Sequence, residues 1–301
     1  MTKLEKFDLA VIGAGSGGLS VAAGAAQLGA KVVLVEKHKM GGDCLNTGCV
    51  PSKALLAAAK SAQAHRTSAA FGVAADEPAI TFAKAMAHVE GVIKAIEPHD
   101  SQQRFESLGV TVVRAHAKFT AQQSLQADGK SYEARRIVIA TGSRAGVPPI
   151  TGLKDVPFFT NETVFKNREL PSHLVVIGGG PIGMEMALAH RRLGAQVTVL
   201  EAFQPLAKDD PELTSVVLEA LQAEGIAIHG NAKISKIENT ANGIRISVED
   251  QPVLDASHLL VAAGRQPNIE NLDLEAAGIA YTKRGITVDA SLRSTTNRNV
   301  Y

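Results

Sequence analysis

Residues 11–36 read VIGAGSGGLSVAAGAAQLGAKVVLVE, and residues 176–201 read VIGGGPIGMEMALAHRRLGAQVTVLE. Aligned at a constant offset of 165, 11 of these 26 positions are identical, among them three glycines, a Leu-Gly-Ala exit and a terminal glutamate. A period this long is not that of a solenoid; it marks two copies of one domain type. In each copy a short apolar strand (Leu9–Ile12; Leu174–Ile177) runs into the glycines, and the glycines open a helix rich in small and apolar residues. Gly29 and Gly194 sit where a left-handed cap would end that helix. A second apolar strand (Val32–Val35; Val197–Leu200) follows and stops at an acid. This is a βαβ unit carrying the G-x-G-x-x-G spacing of a dinucleotide site. Gly13 and Gly178 permit the tight turn, Gly15 and Gly180 let the backbone approach a pyrophosphate, and Gly18 and Gly183 let helix and strand pack closely. The helix start then offers N–H groups and a positive dipole end to the phosphates. Glu36 and Glu201 are placed to accept hydrogen bonds from ribose hydroxyls. One such motif is also what a glycine-rich turn looks like; two, each in the full strand–turn–helix–strand–acid context, are specific.

The whole chain agrees with two domains: 301 residues at about 150 per domain. Hydrophobic residues make up 45% and charged residues 20%, an ordinary globular composition that excludes a disordered, collagenous or coiled-coil chain. With 31 basic and 30 acidic residues there is no basic field for nucleic acid. No apolar run approaches the ~20 residues of a membrane span. Residues 7–12 are apolar behind Lys3 and Lys6, yet they lead straight into the glycine turn without a cleavage site, so they read as a strand and not a signal peptide. The expected location is cytoplasmic.

An acid at the end of the second strand repels a 2′-phosphate. Glu201 is followed by Ala202 and Phe203, with no arginine, so the second site favours NAD(H) over NADP(H). The first site ends in Glu36 followed by Lys37, and spacing alone does not separate FAD from NAD there.

Residues 41–53, GGDCLNTGCVPSK, hold both cysteines of the chain, Cys44 and Cys49. Three readings are open: two buried thiols, a partial zinc site with only His38 nearby, or a redox disulfide. On a regular helix a five-residue step separates Cα atoms by about 8–9 Å, and a disulfide needs under ~7 Å. A bridge therefore requires a distorted turn, which Gly48 allows. Pro51 suits the first turn of a following helix. Cys49 then lies near a helix start, where a thiolate is stabilised, and Lys53 falls on the same helical face. That combination is what thiol–disulfide exchange needs.

The segment resembles the active-site signature of the class I pyridine nucleotide–disulfide oxidoreductases, flavoenzymes such as dihydrolipoamide dehydrogenase and mercuric reductase; Pro51-Ser52-Lys53 is similar to those two. Ile139–Ser143 (IATGS) and Ala263–Asn268 (AGRQPN) resemble the two turns by which that family returns its chain to FAD, and the resemblance covers essentially all of the sequence. It implies an α/β fold of two Rossmann-like domains: an FAD domain over residues 1–149, an inserted NAD(P) domain over 150–266, and a return to the FAD domain over 267–301. It implies that FAD meets Gly13, Gly15, Gly17, Gly18, Glu36, Lys37, Gly42, Asp43, Cys44, Lys53, Ala115, Ala117, Thr141, Gly142, Ser143, Gly264 and Arg265. It also implies cofactor contacts at Gly178, Gly180, Pro181, Ile182, Gly183, Glu185, Glu201 and Ile234, with the second glycine turn holding NAD(H). Cys44 and Cys49 form the redox disulfide, Cys49 next to the flavin and Cys44 exchanging with substrate. Lys53 lies near the reactive flavin nitrogen, a buried lysine paired with Glu185. The implied activity passes electrons between NAD(H) and a dithiol or disulfide, dihydrolipoamide-like, with Hg(II) or another small oxidant as the alternative acceptor, and a catalytically incompetent dinucleotide-binding module as the third reading. No metal is implied.

Three departures from the family pattern stand out. Asp43 replaces a threonine beside the FAD pyrophosphate. Pro181 stands where several relatives have an aromatic gate, and is also a plain first-turn proline. The sequence stops at Thr295–Tyr301, before the family's ribityl-binding Asp motif and its C-terminal dimerisation domain, which carries the acid–base His–Glu pair. A truncated chain is thus expected, with a homodimer for the full-length protein. His88, His99, His229 and His258 are read as surface or core histidines. Elsewhere, residues 51–65 continue the helix behind the cysteines, 81–107 read as a long helix disturbed at Pro98 with a core face of Phe82, Met86, Val89, Ile93 and Ile96, and 110–140 alternate as strands with a turn at Asp128–Gly129. Residues 145–152 are Pro/Gly-rich and read as an interdomain link.

Overall fold

The structure is a computed structural model and describes residues 4–301. In chain order its main elements are β1 (Leu4–Ile12), α1 (Ser16–Gln27), β2 (Val32–Val35), α2 (Gly42–Asn46), α3 (Cys49–Thr67), α4 (Phe82–Ile96), α5 (Gln102–Ser107), β3 (Thr111–Val113), β4 (Lys118–Ala121), β5 (Ser124–Ala127), β6 (Lys130–Ile139) and the short β7 (Ser143–Ala145). There follow β8 (His173–Ile177), α6 (Pro181–Arg192), β9 (Gln196–Leu200), α7 (Pro211–Ala223), β10 (Ala227–His229), β11 (Ile234–Thr240), β12 (Gly243–Val248), β13 (Leu254–Ala256) and β14 (His258–Val261).

The chain divides into two compact units. The first comprises the segment up to Asn46, Ile93–Arg144 and Gln266–Tyr301; the second comprises Thr47–Val92 and Ala145–Arg265. The sequence reading kept residues 1–149 together. The structure instead groups residues 47–92 with the second unit, because α3 lies against α6. Arg66 donates to the Arg192 carbonyl at 2.7 Å, and the Phe82 ring lies 5.8 Å from that of His190.

The first unit is built on a six-stranded sheet of order β3-β2-β1-β6-β5-β4. Its first four strands are parallel, with Leu9 opposite Val32 and Ile12 opposite Ile139. All four residues of β2 are buried, as expected of a parallel strand covered on both faces. β6 is ten residues long and does two jobs: it pairs parallel with β1 and antiparallel with β5. The β5–β6 turn falls on Asp128 (φ 49°) and Gly129 (φ 68°), the paired left-handed residues of a tight hairpin. Near the end of β6 the returning chain adds a further pairing, Ile137 N–H to the Asn299 carbonyl at 2.9 Å and Ile139 N–H to the Tyr301 carbonyl at 2.8 Å.

The second unit repeats the plan with a four-stranded parallel sheet, β10-β9-β8-β14, and a separate antiparallel sheet, β11-β12-β13. Here Ser257 divides what in the first unit is one long strand into β13 and β14. The helix exits are identical in kind. Gly29 (φ 84°) and Gly194 (φ 107°) are left-handed, and the residue after each, Ala30 or Ala195, donates back to Ala25 or His190 at 3.0 Å. These are Schellman caps. The expected long helix over 81–107 is instead three pieces: α4, a 3₁₀ turn over Glu97–Asp100, and α5 with Ser101 as its N-cap. Pro98 has no N–H to give and its ring crowds the preceding turn, which is why the helix cannot run through.

Candidate functional site

The two glycine turns are built alike. At Gly13 (φ 104°) an added Cβ would strike the Ala140 carbonyl oxygen, and at Gly178 (φ 113°) that of Ala262. At Gly18 and Gly183 it would strike the carbonyl oxygens of Gly13 and Gly178. Protein packing therefore demands these four glycines. The middle glycines differ: a Cβ on Gly180 meets nothing within 4 Å, and one on Gly15 meets only the Gly42 Cα at 3.8 Å. Space is left above each turn where a pyrophosphate would sit, which is the fit a dinucleotide requires. Gly17 also faces open space, while Gly42 (φ 55°) packs against Gly15, where a Cβ would approach the Gly15 Cα to 2.5 Å. Pro181 is the first residue of α6, and Ile182 beside it is partly exposed.

Both strand-end acids are tied into these turns. The Ala14 N–H donates to Glu36 Oε2 at 2.6 Å and the His38 N–H to Glu36 Oε1 at 2.6 Å. In the second copy the Gly179 N–H donates to Glu201 Oε2 at 2.6 Å and the Phe203 N–H to Glu201 Oε1 at 2.9 Å. The contacts repeat at the same offset of 165 (14 to 179, 36 to 201, 38 to 203). Each carboxylate thus braces its own glycine turn. A carboxylate has several lone-pair sites, so these contacts leave acceptor capacity for the ribose hydroxyls expected there.

In the first unit, five of its segments converge on a cavity of about 180 Å³. Of the residues expected at FAD, Gly13, Glu36, Lys37, Ala115, Ala117 and Thr141 line it. The wall is closed by residues that sequence reading missed: His116, Arg144, Asn268 and Glu270. The Thr141 hydroxyl donates to the Asn268 carbonyl at 2.5 Å, the Asn268 side-chain amide to the Thr141 carbonyl at 3.0 Å, and the Asn268 N–H to the Gly142 carbonyl at 2.9 Å. The two return turns are laced together in this way. Arg144 grips Glu270 with both terminal nitrogens (2.9 and 2.7 Å), and this guanidinium holds the Glu270 carboxyl down at about 2. Asn268 could have been found from the AGRQPN motif; Arg144 and Glu270 stand 126 residues apart, and no local pattern joins them.

Cys44 lies on α2 and Cys49 opens α3. Both are thiols in this structure, Cys44 half-buried and Cys49 exposed. Asp43, exposed, stands in the first turn of α2. Gly48 precedes α3 with non-helical angles (φ −128°, ψ −112°), and the buried Ser52 hydroxyl donates to the Cys49 carbonyl at 3.2 Å. In the second unit the Asn161 side-chain amide, itself buried, donates to the Thr47 carbonyl at 3.3 Å and steadies the chain just ahead of Cys49. One turn along α3, Lys53 Nζ meets Glu185 Oε1 at 2.6 Å. The pair is formed as expected but is not buried: the side chains are 62% and 36% exposed. Burial therefore does not compel it; its effect is to tie the cysteine helix to the helix that rises from the second glycine turn.

Of the remaining expected residues, Ile234 packs against the second unit's core, Ser143 begins β7, Gly264 (φ 125°) turns the chain with its carbonyl accepting from the Gly146 N–H at 2.9 Å, and Arg265 is exposed. No group of metal-ligating side chains occurs among the described residues, and no helix among them is long and apolar enough to cross a membrane. His190, on α6, is fully buried; burial pushes its imidazole down to about 4, and its Nδ1 lies 2.8 Å from the Met186 carbonyl oxygen.

Comparison with known proteins gives this geometry a family. The chain is similar to the mercuric reductase of Staphylococcus aureus, 31% identical over 299 residues that cover 98% of this chain and 55% of the relative. It is similar to the dihydrolipoyl dehydrogenase of Thermus scotoductus, 34% identical over 306 residues covering 97% and 64%. Among solved structures, the HOCl-induced flavoprotein disulfide reductase RclA from Escherichia coli superposes with a TM-score of 0.85 at 30% identity, covering 98% of this chain and 65% of that one. The chain thus spans between about half and two thirds of the length of these relatives. The family model described as pyridine nucleotide-disulphide oxidoreductase matches residues 7–301, and the chain belongs to that family of FAD-dependent pyridine nucleotide oxidoreductases.

Proposed function

We propose that the first unit binds FAD, that the second binds NAD(H), and that the chain relays electrons between the nicotinamide and a disulfide substrate through the Cys44–Cys49 pair. The observation that carries this reading is the Lys53–Glu185 contact at 2.6 Å, which joins the cysteine helix to the nucleotide helix within one unit. FAD, when bound, supplies the electron-transfer chemistry between nicotinamide and cysteines. The chain's residues do the rest. The Gly13–Gly18 turn and Glu36 hold one pyrophosphate and ribose; the Gly178–Gly183 turn and Glu201 hold the other. The acid at Glu201, followed by Ala202 and Phe203, favours an unphosphorylated ribose. Cys49 stands at the start of α3 and is exposed, within reach of a disulfide exchange partner. With both cysteines reduced, Cys44 attacks the substrate disulfide, releasing one substrate thiol and forming a mixed disulfide. Cys49 then attacks the Cys44 sulfur, releases the second substrate thiol and closes the Cys44–Cys49 bond. Two electrons pass from the pair to the substrate and two protons go to the released thiolates.

A second reading keeps the relay and changes the acceptor to a soft metal ion. Its support is the similarity to mercuric reductases and to RclA, whose Cu(II) complex has been solved, together with the exposed Cys49. We further propose a homodimer and a cytoplasmic location, where a reducing poise keeps such a pair cycling.

The test is anaerobic reductive titration of the FAD-loaded chain. Wild type should take up one electron pair more than Cys49→Ser, the extra pair being that of the disulfide. Equal uptake would refute the relay and leave a dinucleotide-binding module. An acceptor panel of a lipoyl-type disulfide, Hg(II) and Cu(II) then separates the two readings.

A further inference from the structure

The segment Gln266–Leu272 is a thin wall. On its inner side is the 180 Å³ cavity shared with Glu36 and Thr141; on its outer side is an open groove of about 520 Å³ lined by residues between Gln266 and Lys283. Glu270 and Asn271 line both. Leu272 is buried in the first unit's core and Ile269 packs against it, while Gln266, Glu270 and Asn271 are exposed, so the polar stretch of the wall is positioned by hydrogen bonds. Asn268 is tied to Thr141 and Gly142 by side-chain and backbone hydrogen bonds, and at the far end the Leu272 carbonyl accepts from the Phe119 N–H at 2.8 Å. Two side chains reach the middle of the wall: His116 Nε2 lies 2.7 Å from the Asn271 carbonyl oxygen, and Arg144 spans several residues at once. Arg144 Nη1 donates to Asn268 Oδ1 at 3.0 Å and to Glu270 Oε2 at 2.9 Å; Nη2 donates to Glu270 Oε1 at 2.7 Å and to Gln266 Oε1 at 3.3 Å. A planar guanidinium that grips a carboxylate with two parallel bonds fixes position as well as distance. The pair is about half exposed, 41% and 54%, so its worth to folding is small. Its geometry matters to the cavity instead.

We propose that Arg144 and Glu270 form a clasp that holds shut the wall of the cavity at the adenosine half of the first dinucleotide site, and so set how long the dinucleotide stays bound. The proposal rests on the reading that the first unit takes FAD. The adenosine half is indicated because the same cavity is lined by Glu36, the acid at the end of β2, where the ribose of a dinucleotide lying on a βαβ unit is met. Arg144 and Glu270 act as positioning residues: they hold the wall, and the wall holds the ligand.

The experiment measures release of FAD and of ADP from the full chain by stopped flow, for wild type, Glu270→Gln, Arg144→Met and the reversed pair Arg144→Glu/Glu270→Arg. Both single variants should release FAD about fivefold faster, the size expected when an exposed ion pair is lost, with association hardly changed. ADP release should accelerate by the same factor, because only the adenosine half is touched. The reversed pair should slow release again, which a merely structural lesion would not do. Raising salt should speed wild-type release towards that of the variants. Wild-type release rates in Glu270→Gln, or an effect on FAD with none on ADP, or no recovery in the reversed pair would overturn the clasp. If wild type binds neither FAD nor ADP, the reading of the first unit itself falls, and the clasp with it.

Discussion

Replacing His190 by methionine should flatten the acid dependence of stability. His190 lies on α6, five residues beyond Glu185, with its ring against Phe82 and its Nδ1 at the Met186 carbonyl. Burial is the main reason its imidazole sits at about 4 instead of the ordinary 6.5, with neighbouring His258 acting in the same direction. Above pH 6.5 the ring is neutral whether the chain is folded or not, and stability is complete. As the pH falls from 6.5 towards 4, the unfolded chain takes up a proton that the folded chain refuses, so stability is lost. Below 4 the loss levels off. A difference of about 2.5 pH units corresponds to about 3 kcal/mol in total, of which about 2 kcal/mol is lost by pH 5. The assay is urea unfolding of wild type and His190→Met at pH 7 and pH 5. The variant should lie within about 1.5 kcal/mol of wild type at pH 7, since the volumes are similar. Wild type should then lose about 2 kcal/mol more than the variant on going to pH 5. Equal losses in the two proteins would show that His190 is not the buried neutral group described, and would refute the reasoning.

Other outcomes follow from the same geometry. Gly183→Ala should lower the unfolding free energy by about 1–3 kcal/mol or more, because its Cβ meets the Gly178 carbonyl; Gly180→Ala should leave it unchanged and weaken NADH binding, read by fluorescence titration. Glu201→Gln should cost about 1–3 kcal/mol of NADH binding by loosening the Gly179 and Phe203 N–H contacts, with FAD retention unaffected; Glu36→Gln should do the reverse. Lys53→Met should change stability by less than about 1 kcal/mol, as befits an exposed pair, yet slow reduction of the bound flavin by NADH in stopped flow.

The two βαβ units were legible because their signals are local. Apolar strands of four or five residues, glycines that alone tolerate φ near 104–113°, and exits capped at Gly29 and Gly194 all lie within a few residues of what they determine. The hairpin at Asp128–Gly129 was visible for the same reason. The helix breaks at Pro98 as expected, but its form was not legible, since a proline marks a disturbance without saying that a 3₁₀ turn and a Ser101 cap will follow. At the site, the sequence by itself determined where the two glycine turns, their strand-end acids and the two cysteines lie along the chain. Tertiary structure alone decided that Glu36 and Glu201 brace their own turns, that residues 47–92 pack with the second unit, that Lys53 stays exposed while paired, and that Arg144 closes on Glu270. Those outcomes join residues from 22 to 132 positions apart. They depend on which surfaces meet when helices pack and on which donors then find acceptors, and neither is written in any local period of the chain.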